Sequence, residues 1–207
     1  MSFLLMGTVY GTLLNFRGEL AALGGKAHEP PYKAPPRAPV LYIKPANTWS
    51  EDGARIPVPA RVHEVEVGAT IGFVMKGPGD PAGYVLMNDL SIPHESLFRP
   101  PVKFKCLDGF LGVGSKMMRD EDCADPGWFV LEVRINGEPR QTVRFNDLVR
   151  APRQLLTDVS EFMTLGAGDV LMLGCDVGRP RAKVGDTIEI RAEGLGTLTN
   201  TLVAEAA

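Results

Sequence analysis

The sequence predicts a mainly β protein with a few short helices. Three observations carry that expectation. Its 23 Gly and 17 Pro are spread over all 207 residues, which leaves little room for long helices. Apolar runs of β-rich composition recur along the chain, and only two stretches show helical spacing.

Taken in order, Arg17 to Leu23 reads as a helix stopped by Gly24-Gly25. Lys26 to Pro39 holds five prolines among scattered charges, which suits an extended loop that crosses the surface or covers a cleft. Val62 to Val74 reads as a strand pair or one long strand, and Gly83 to Ser91 as an apolar strand that gives way to a loop at Asp89. In Val102 to Phe110, alternation puts Lys103 and Lys105 on one strand face. Trp128 to Ile135, Asp169 to Leu173 and Thr187 to Ala192 are further strands. Asn136-Gly137 is the strongest turn dipeptide, and Leu155 to Phe162 is the second helix. With no internal repeat or low-complexity tract, residues 1–207 form one expected domain, with a lid segment at about residues 15–39.

The 22 basic and 25 acidic residues give a net charge of -3, with no basic face for nucleic acid or an anionic membrane. No apolar run reaches the roughly 18 residues that span a bilayer, and Met1 to Leu14 lacks a secretory pattern, so a cytoplasmic protein is expected. Cys106, Cys123 and Cys175 form no C-x-x-C pair, which points to reduced, structural thiols.

Three acidic residues draw chemistry. In His63-Glu64-Val65-Glu66-Val67 a strand puts both carboxylates on one face, either as a polar strand face or as a pair that shares a proton or a cation. Asp89 closes its strand, either as a turn or cap residue or as a third carboxylate. An all-carboxylate set selects hard cations such as Mg²⁺ or Mn²⁺. Lys44 closes an apolar strand just before Pro45, and Lys105 lies on a face that is wet or functional. His63 points away from the two glutamates by alternation and is expected to be structural. G-x-S-x-G, a P-loop and a dinucleotide-binding G-x-G-x-x-G are absent.

In order, these pieces resemble the fumarylacetoacetate hydrolase family. Its F-x-K strand, Y-E-x-E-L-A strand and G-Y-x-x-x-N-D-x-S run appear here as Tyr42-Ile43-Lys44, His63 to Gly68, and Gly83-Tyr84 with Asn88 to Ser91. Its K-x-x-D-x-F follows at Lys105, Asp108 and Phe110, its N-G-E-x-R-Q at Asn136 to Gln141, and its L-x-P-G-D at Leu165 to Asp169. The resemblance covers nearly the whole chain. It is nearest to the first half of the bifunctional isomerase/decarboxylases of homoprotocatechuate (4-hydroxyphenylacetate) breakdown, through Gly7 to Gly11, Pro30 to Pro36 and Asn88 to His94.

The resemblance implies a mixed β-sandwich roll, a homodimer or a pairing with a sister subunit, and one Mg²⁺ or Mn²⁺ held by Glu64, Glu66 and Asp89. It implies Lys105 as the active-site lysine and substrate contacts at Lys44, Tyr84, Asn88 and Gln141. Three segments depart from the pattern, one of them the common S-A-R-D, which reads Ser91-Ile92-Pro93-His94. The lid motif N-Y-x-x-H-x-x-E reads Asn15-Phe16-Arg17-Gly18-Glu19-Leu20-Ala21-Ala22, and T-G-T-P reads Leu173-Gly174-Cys175-Asp176. Without the lid His/Glu pair, the expected activity shifts from hydrolysis to isomerisation or decarboxylation of an unsaturated 2-oxo acid, with Glu19 or His28 moving the proton. A C–C hydrolase of acylpyruvates and a weakly active metal-binding subunit that completes a sister subunit are the alternatives.

Overall fold

The computed structural model describes residues 3–30, 33–94 and 101–206. Its strands are β1 (Val9–Leu13), β2 (Val40–Lys44), β3 (Trp49–Ser50), β4 (Arg55–Val58), β5 (Val65–Glu66), β6 (Ala69–Gly77), β7 (Asp80–Asp89) and β8 (Leu111–Arg119). Then come β9 (Val130–Ile135), β10 (Glu138–Arg144), β11 (Val170–Met172), β12 (Arg181–Ala182), β13 (Thr187–Ala192) and β14 (Gly196–Ala204). The α-helices are α1 (Arg17–Leu23), α2 (Val102–Lys105) and α3 (Pro152–Ser160). The mainly β expectation holds.

Seven strands form a mixed sheet in the order β2-β1-β11-β6-β7-β8-β3, and five form a second sheet in the order β10-β9-β13-β14-β4. A two-stranded ladder pairs β5 with β12. The middle of the large sheet is buried on both faces, so β6 and β7 read as continuous apolar runs rather than as alternation. One core cluster joins Ile71, Phe73 and Leu86 of the large sheet to Leu131, Val133 and Ile190 of the small one. A second cluster, with Val9, Val74, Val85 and Val170, fills the other face of the large sheet.

Several boundaries match the sequence reading closely. The first helix covers Arg17–Leu23, and a 3₁₀ turn over Gly24–His28 continues it. The second begins earlier than expected, at Pro152, because proline at the first helical turn lacks only an N–H that would be unpaired anyway. Asn136 and Gly137 both take positive φ, 54° and 81°, the twist that a tight hairpin between β9 and β10 requires. Val62 to Val74 divides into β5 and β6. The expected strand at Lys103 and Lys105 is instead the single-turn helix α2, with Lys103 exposed and Lys105 buried. Its Phe104 and Lys105 N–H groups both donate to the Pro101 carbonyl, which closes the chain into a turn before β8. In the Pro-rich segment, Pro31 and Tyr32 lie outside the described residues.

Candidate functional site

The site grows from the C-terminal end of β7, where Asp89 is buried with its side chain fully enclosed. Strand β2 lies at the edge of the same sheet, and its alternation buries Tyr42 and Lys44 while Ile43 points out. Both inward residues reach Asp89. The Tyr42 hydroxyl donates to Oδ2, and Lys44 Nζ stands 2.8 Å from Oδ1. Lys44 has three N–H groups, and they go to the carbonyls of Leu90 at 3.0 Å, Lys105 at 2.6 Å and Phe110 at 2.7 Å. Its pairing with Asp89 is therefore coulombic, and among the described residues Oδ1 has no well-aligned donor. Lys105 Nζ completes the group, donating to Oδ2 at 2.6 Å and lying 4.8 Å from the centre of the Tyr42 ring.

Burial works against the ionised form of Asp89, yet Lys105 and then Lys44 outweigh it and hold its carboxyl well below the usual range. Burial lowers Lys44 from its ordinary value, with Asp89 opposing. It raises Tyr42 well above the ordinary phenol, which stays a neutral donor. Backbone pairing seats the strand end against the β5 edge, with Asp89 N–H donating to Gly68 at 2.8 Å and Glu66 bridging Ser91. A Cβ on Gly68 would collide with the Asp89 carbonyl and meet Cys175 Sγ. Gly68→Ala is accordingly expected to destabilise the protein by about 1–3 kcal/mol, the usual cost of overpacking, read as a lowered melting temperature.

The second half of the site comes from α1. Leu14 adopts a left-handed φ of 59° and reverses the chain at the end of β1. Asn15 is buried and anchors the turn, donating to the carbonyls of Leu173 and Arg150 and accepting from Arg150 N–H. One helical turn later Glu19 is buried, its Oε2 accepting from Leu14 N–H at 2.5 Å and its Oε1 from Arg179 Nη2 at 2.5 Å. Burial raises the Glu19 carboxyl above its ordinary value, with Arg179 as the main opposing charge.

Arg179 and Arg181 are the residues that sequence reasoning missed. Strand β12 pairs antiparallel with β5, with Arg181 opposite Glu66 and the Pro180 carbonyl accepting from Val67 N–H, which brings Arg179 and Arg181 to the two glutamates. Arg181 Nη1 stands 3.0 Å from Glu64, whose side chain is half exposed, and Arg179 Nη1 is 3.7 Å from Glu66. Arg179 also donates from Nε to the Asp176 carbonyl at 3.3 Å. The only available signal was an R-x-R of the same spacing as the E-x-E, and it lies over 100 residues away, with |i−j| of 117 for the Glu64–Arg181 pair.

These elements enclose a cleft of about 380 Å³ lined by Glu19, Ala22, Glu66, His94, Lys105 and Arg179, among others. Glu19 and Lys105 thus face one cavity. The three proposed metal ligands do not gather: among the described residues no three His, Cys, Asp or Glu side chains are grouped as a cation would need. Each of the three carboxylates is held by a built-in cation instead.

Other expectations change as well. Lys44 is fully buried with its donors spent on carbonyls, so it supports Asp89 rather than touching substrate. Tyr84 stacks on Phe73 in the core and points its hydroxyl at Asp120. Asn88 is buried and donates to Asn200 across the sheets. Gln141 donates to the Val177 carbonyl and so braces the cleft segment from outside. His28 is exposed and lies outside the cleft lining, and His63 is exposed. The three cysteines are free, and burial pushes the Cys175 thiol up to about 12. Among the described residues, no helix is long and apolar enough to cross a membrane.

Comparison with known proteins gives a consistent result. The family model for the fumarylacetoacetate (FAA) hydrolase C-terminal domain matches residues 8–203. The chain is 36% identical over 209 residues to a 4-hydroxyphenylacetate degradation bifunctional isomerase/decarboxylase of Escherichia coli, covering 96% of this chain and 48% of that protein. It thus spans about half the length of these curated relatives. A 5-carboxymethyl-2-hydroxymuconate delta-isomerase from Mycobacterium smegmatis superposes with a TM-score of 0.83 at 26% identity, covering 100% of this chain and 82% of that one. Fumarylpyruvate hydrolase from Pseudomonas aeruginosa, solved with Mn²⁺ and pyruvate, shares the fold at TM-score 0.80 and 18% identity, with 97% of this chain and 91% of that one covered. The match along almost the entire chain, over a fold built as these relatives are, shows that the protein belongs to the fumarylacetoacetate hydrolase family.

Proposed function

We propose that this chain isomerises or decarboxylates an unsaturated 2-oxo di- or tricarboxylate of 4-hydroxyphenylacetate catabolism. The observation that carries the proposal is the cleft itself, where one buried carboxylic group, Glu19, faces the cations Lys105 and Arg179. Relatives named as isomerase/decarboxylase and delta-isomerase support the same reaction class.

In isomerisation a C–H proton beside the conjugated system leaves, the electron pair moves onto the 2-oxo oxygen as an enolate, and a proton returns at another carbon. In decarboxylation CO₂ leaves instead, the same enolate forms, and a proton is added. Among the described residues Lys105 spends one N–H, on Asp89, which leaves two for that oxyanion. Glu19, with its carboxyl raised by burial, takes and returns the proton.

The expected Mg²⁺ or Mn²⁺ at Glu64, Glu66 and Asp89 does not fit the donor set as arranged. Asp89 is paired twice over by lysines, Glu66 faces Arg179, and Glu64 turns outward to Arg181. Hydrolysis is the weaker reading, because Ala22 lines the cleft where the family's water-activating pair has its glutamate, and methyl cannot accept a proton. The twofold greater length of the bifunctional relatives supports a second copy of this chain, or a sister subunit of the family, as partner.

The test is an absorbance assay of the purified protein, with and without chelator, on unsaturated 2-oxo dicarboxylates, acylpyruvates and oxaloacetate. Turnover confined to the unsaturated 2-oxo di- or tricarboxylates is expected. Hydrolysis of acylpyruvates would overturn the proposal in favour of a C–C hydrolase, and silence throughout would favour a subunit of little activity.

A further inference from the structure

We infer that Arg179 is a built-in cation that does for this cleft what a divalent ion would do for its carboxylates, and that its guanidinium receives a carboxylate of the anionic substrate. The inference rests on the reading of the cleft as a 2-oxo acid site. Three observations carry it. First, Arg179 lies between Glu19 and Glu66, 2.5 Å from one and 3.7 Å from the other, so one guanidinium is shared by two carboxylates. Second, its other anchor is a carbonyl, that of Asp176, which fixes the side chain without adding charge. Third, two groups of ion pairs meet at the cleft, Asp89 with Lys44 and Lys105, and Arg179 with Glu19 and Glu66, so three carboxylates are matched by three cations.

The consequence is electrostatic. A divalent ion beside Glu66 would be brought close to a fixed guanidinium, and like charges in a partly dry cleft repel strongly. Arginine, however, offers five N–H groups in a planar fork that matches a carboxylate. One donates to Glu19, one to Asp176 and one faces Glu66 at a distance too long for a hydrogen bond. The N–H groups left over are available to a ligand, and Arg179 lines the cleft. Glu66 is held loosely enough to yield its place to a substrate carboxylate, while Glu19 keeps the fork oriented. Arg181 repeats the pairing outside the cleft and keeps Glu64 turned to solvent.

Two calorimetric titrations at neutral pH test the inference without any turnover: MnCl₂ alone, and oxalate in the presence of chelator as a stand-in for a 2-oxo acid. The parent is expected to show no saturable Mn²⁺ binding tighter than about 1 mM and to bind oxalate in the chelator. Arg179→Gln is expected to weaken oxalate about tenfold or more, since a charged bidentate pair is lost. Saturable Mn²⁺ binding by the parent, or any smaller loss of oxalate affinity in the variant, would overturn the inference. Should Arg179→Gln fail to melt cooperatively by circular dichroism, Arg179→Lys replaces it under the same criterion, because lysine keeps the charge but not the fork. The Mn²⁺ result on the parent stands independently of either variant. Failure of the turnover assay alone would sink the proposed reaction and leave these binding results unchanged, so the two are separable.

Discussion

Asp89→Asn should destabilise the protein by about 3–5 kcal/mol, because it leaves two buried lysines without their counter-charge. Lys44 and Lys105 are both buried, at 0% and 1% exposure, and both aim their ammonium groups at this carboxylate. For a chain of this size the loss corresponds to a fall in melting temperature of about 6–20 °C, measured by scanning calorimetry. The sign of the pH dependence follows from the depressed carboxyl. The folded pKa lies below the unfolded value of about 3.9, so the stabilisation is fully present above that pH and is lost as pH falls through the folded pKa. The parent should therefore lose stability on the acid side, and Asp89→Asn should show a flatter acid limb. An equal slope in both proteins would mean that Asp89 is protonated in the fold and that the paired-lysine account is wrong.

Glu19→Gln should lower turnover by about 10²- to 10⁴-fold, the usual worth of a general acid or base. Glutamine keeps the size and still offers an oxygen to Leu14 N–H or to Arg179, so the fold should survive. Because burial raises this carboxyl, the acid limb of the parent's rate profile should lie above the ordinary glutamate value of 4.5, and the variant should lack it. A rate and profile unchanged from the parent would remove Glu19 from the chemistry and leave it as an anchor for Arg179.

Much of this site was legible in the chain because its elements obey local rules. The period of two puts Tyr42 and Lys44 on one face of β2, and buries Val65 between the less buried Glu64 and Glu66. The helix over Arg17–Leu23 and its glycine stop were read within a residue, since cap and periodicity agree there. Asp89 at a strand end was visible as an acidic residue closing an apolar run. What the chain concealed depends on pairing between distant segments. The β5–β12 ladder is only two residues long on each side, and nothing near Arg181 announces that its partner is Glu66. That ladder is why two of the carboxylates expected to share a cation, Glu64 and Glu66, are each matched by a guanidinium, while Asp89 meets two lysines. Lys105 lines the cleft from a different element than the strand expected, because two lysines at alternate positions fit a strand as well as the single helical turn that forms. Tyr84 and Asn88 were assigned to substrate because their motif matched, whereas burial on both faces of β7 commits them to packing.

The most direct test of the account is a crystal structure of the protein grown with oxalate and Mn²⁺ together. The account predicts oxalate in the cleft between α1 and the end of β7, within hydrogen-bond distance of Arg179 and Lys105, with the Asp89–Lys44–Lys105 group unchanged. A manganese ion coordinated by Glu64, Glu66 and Asp89, with Arg179 displaced and oxalate bound to the metal, would contradict it.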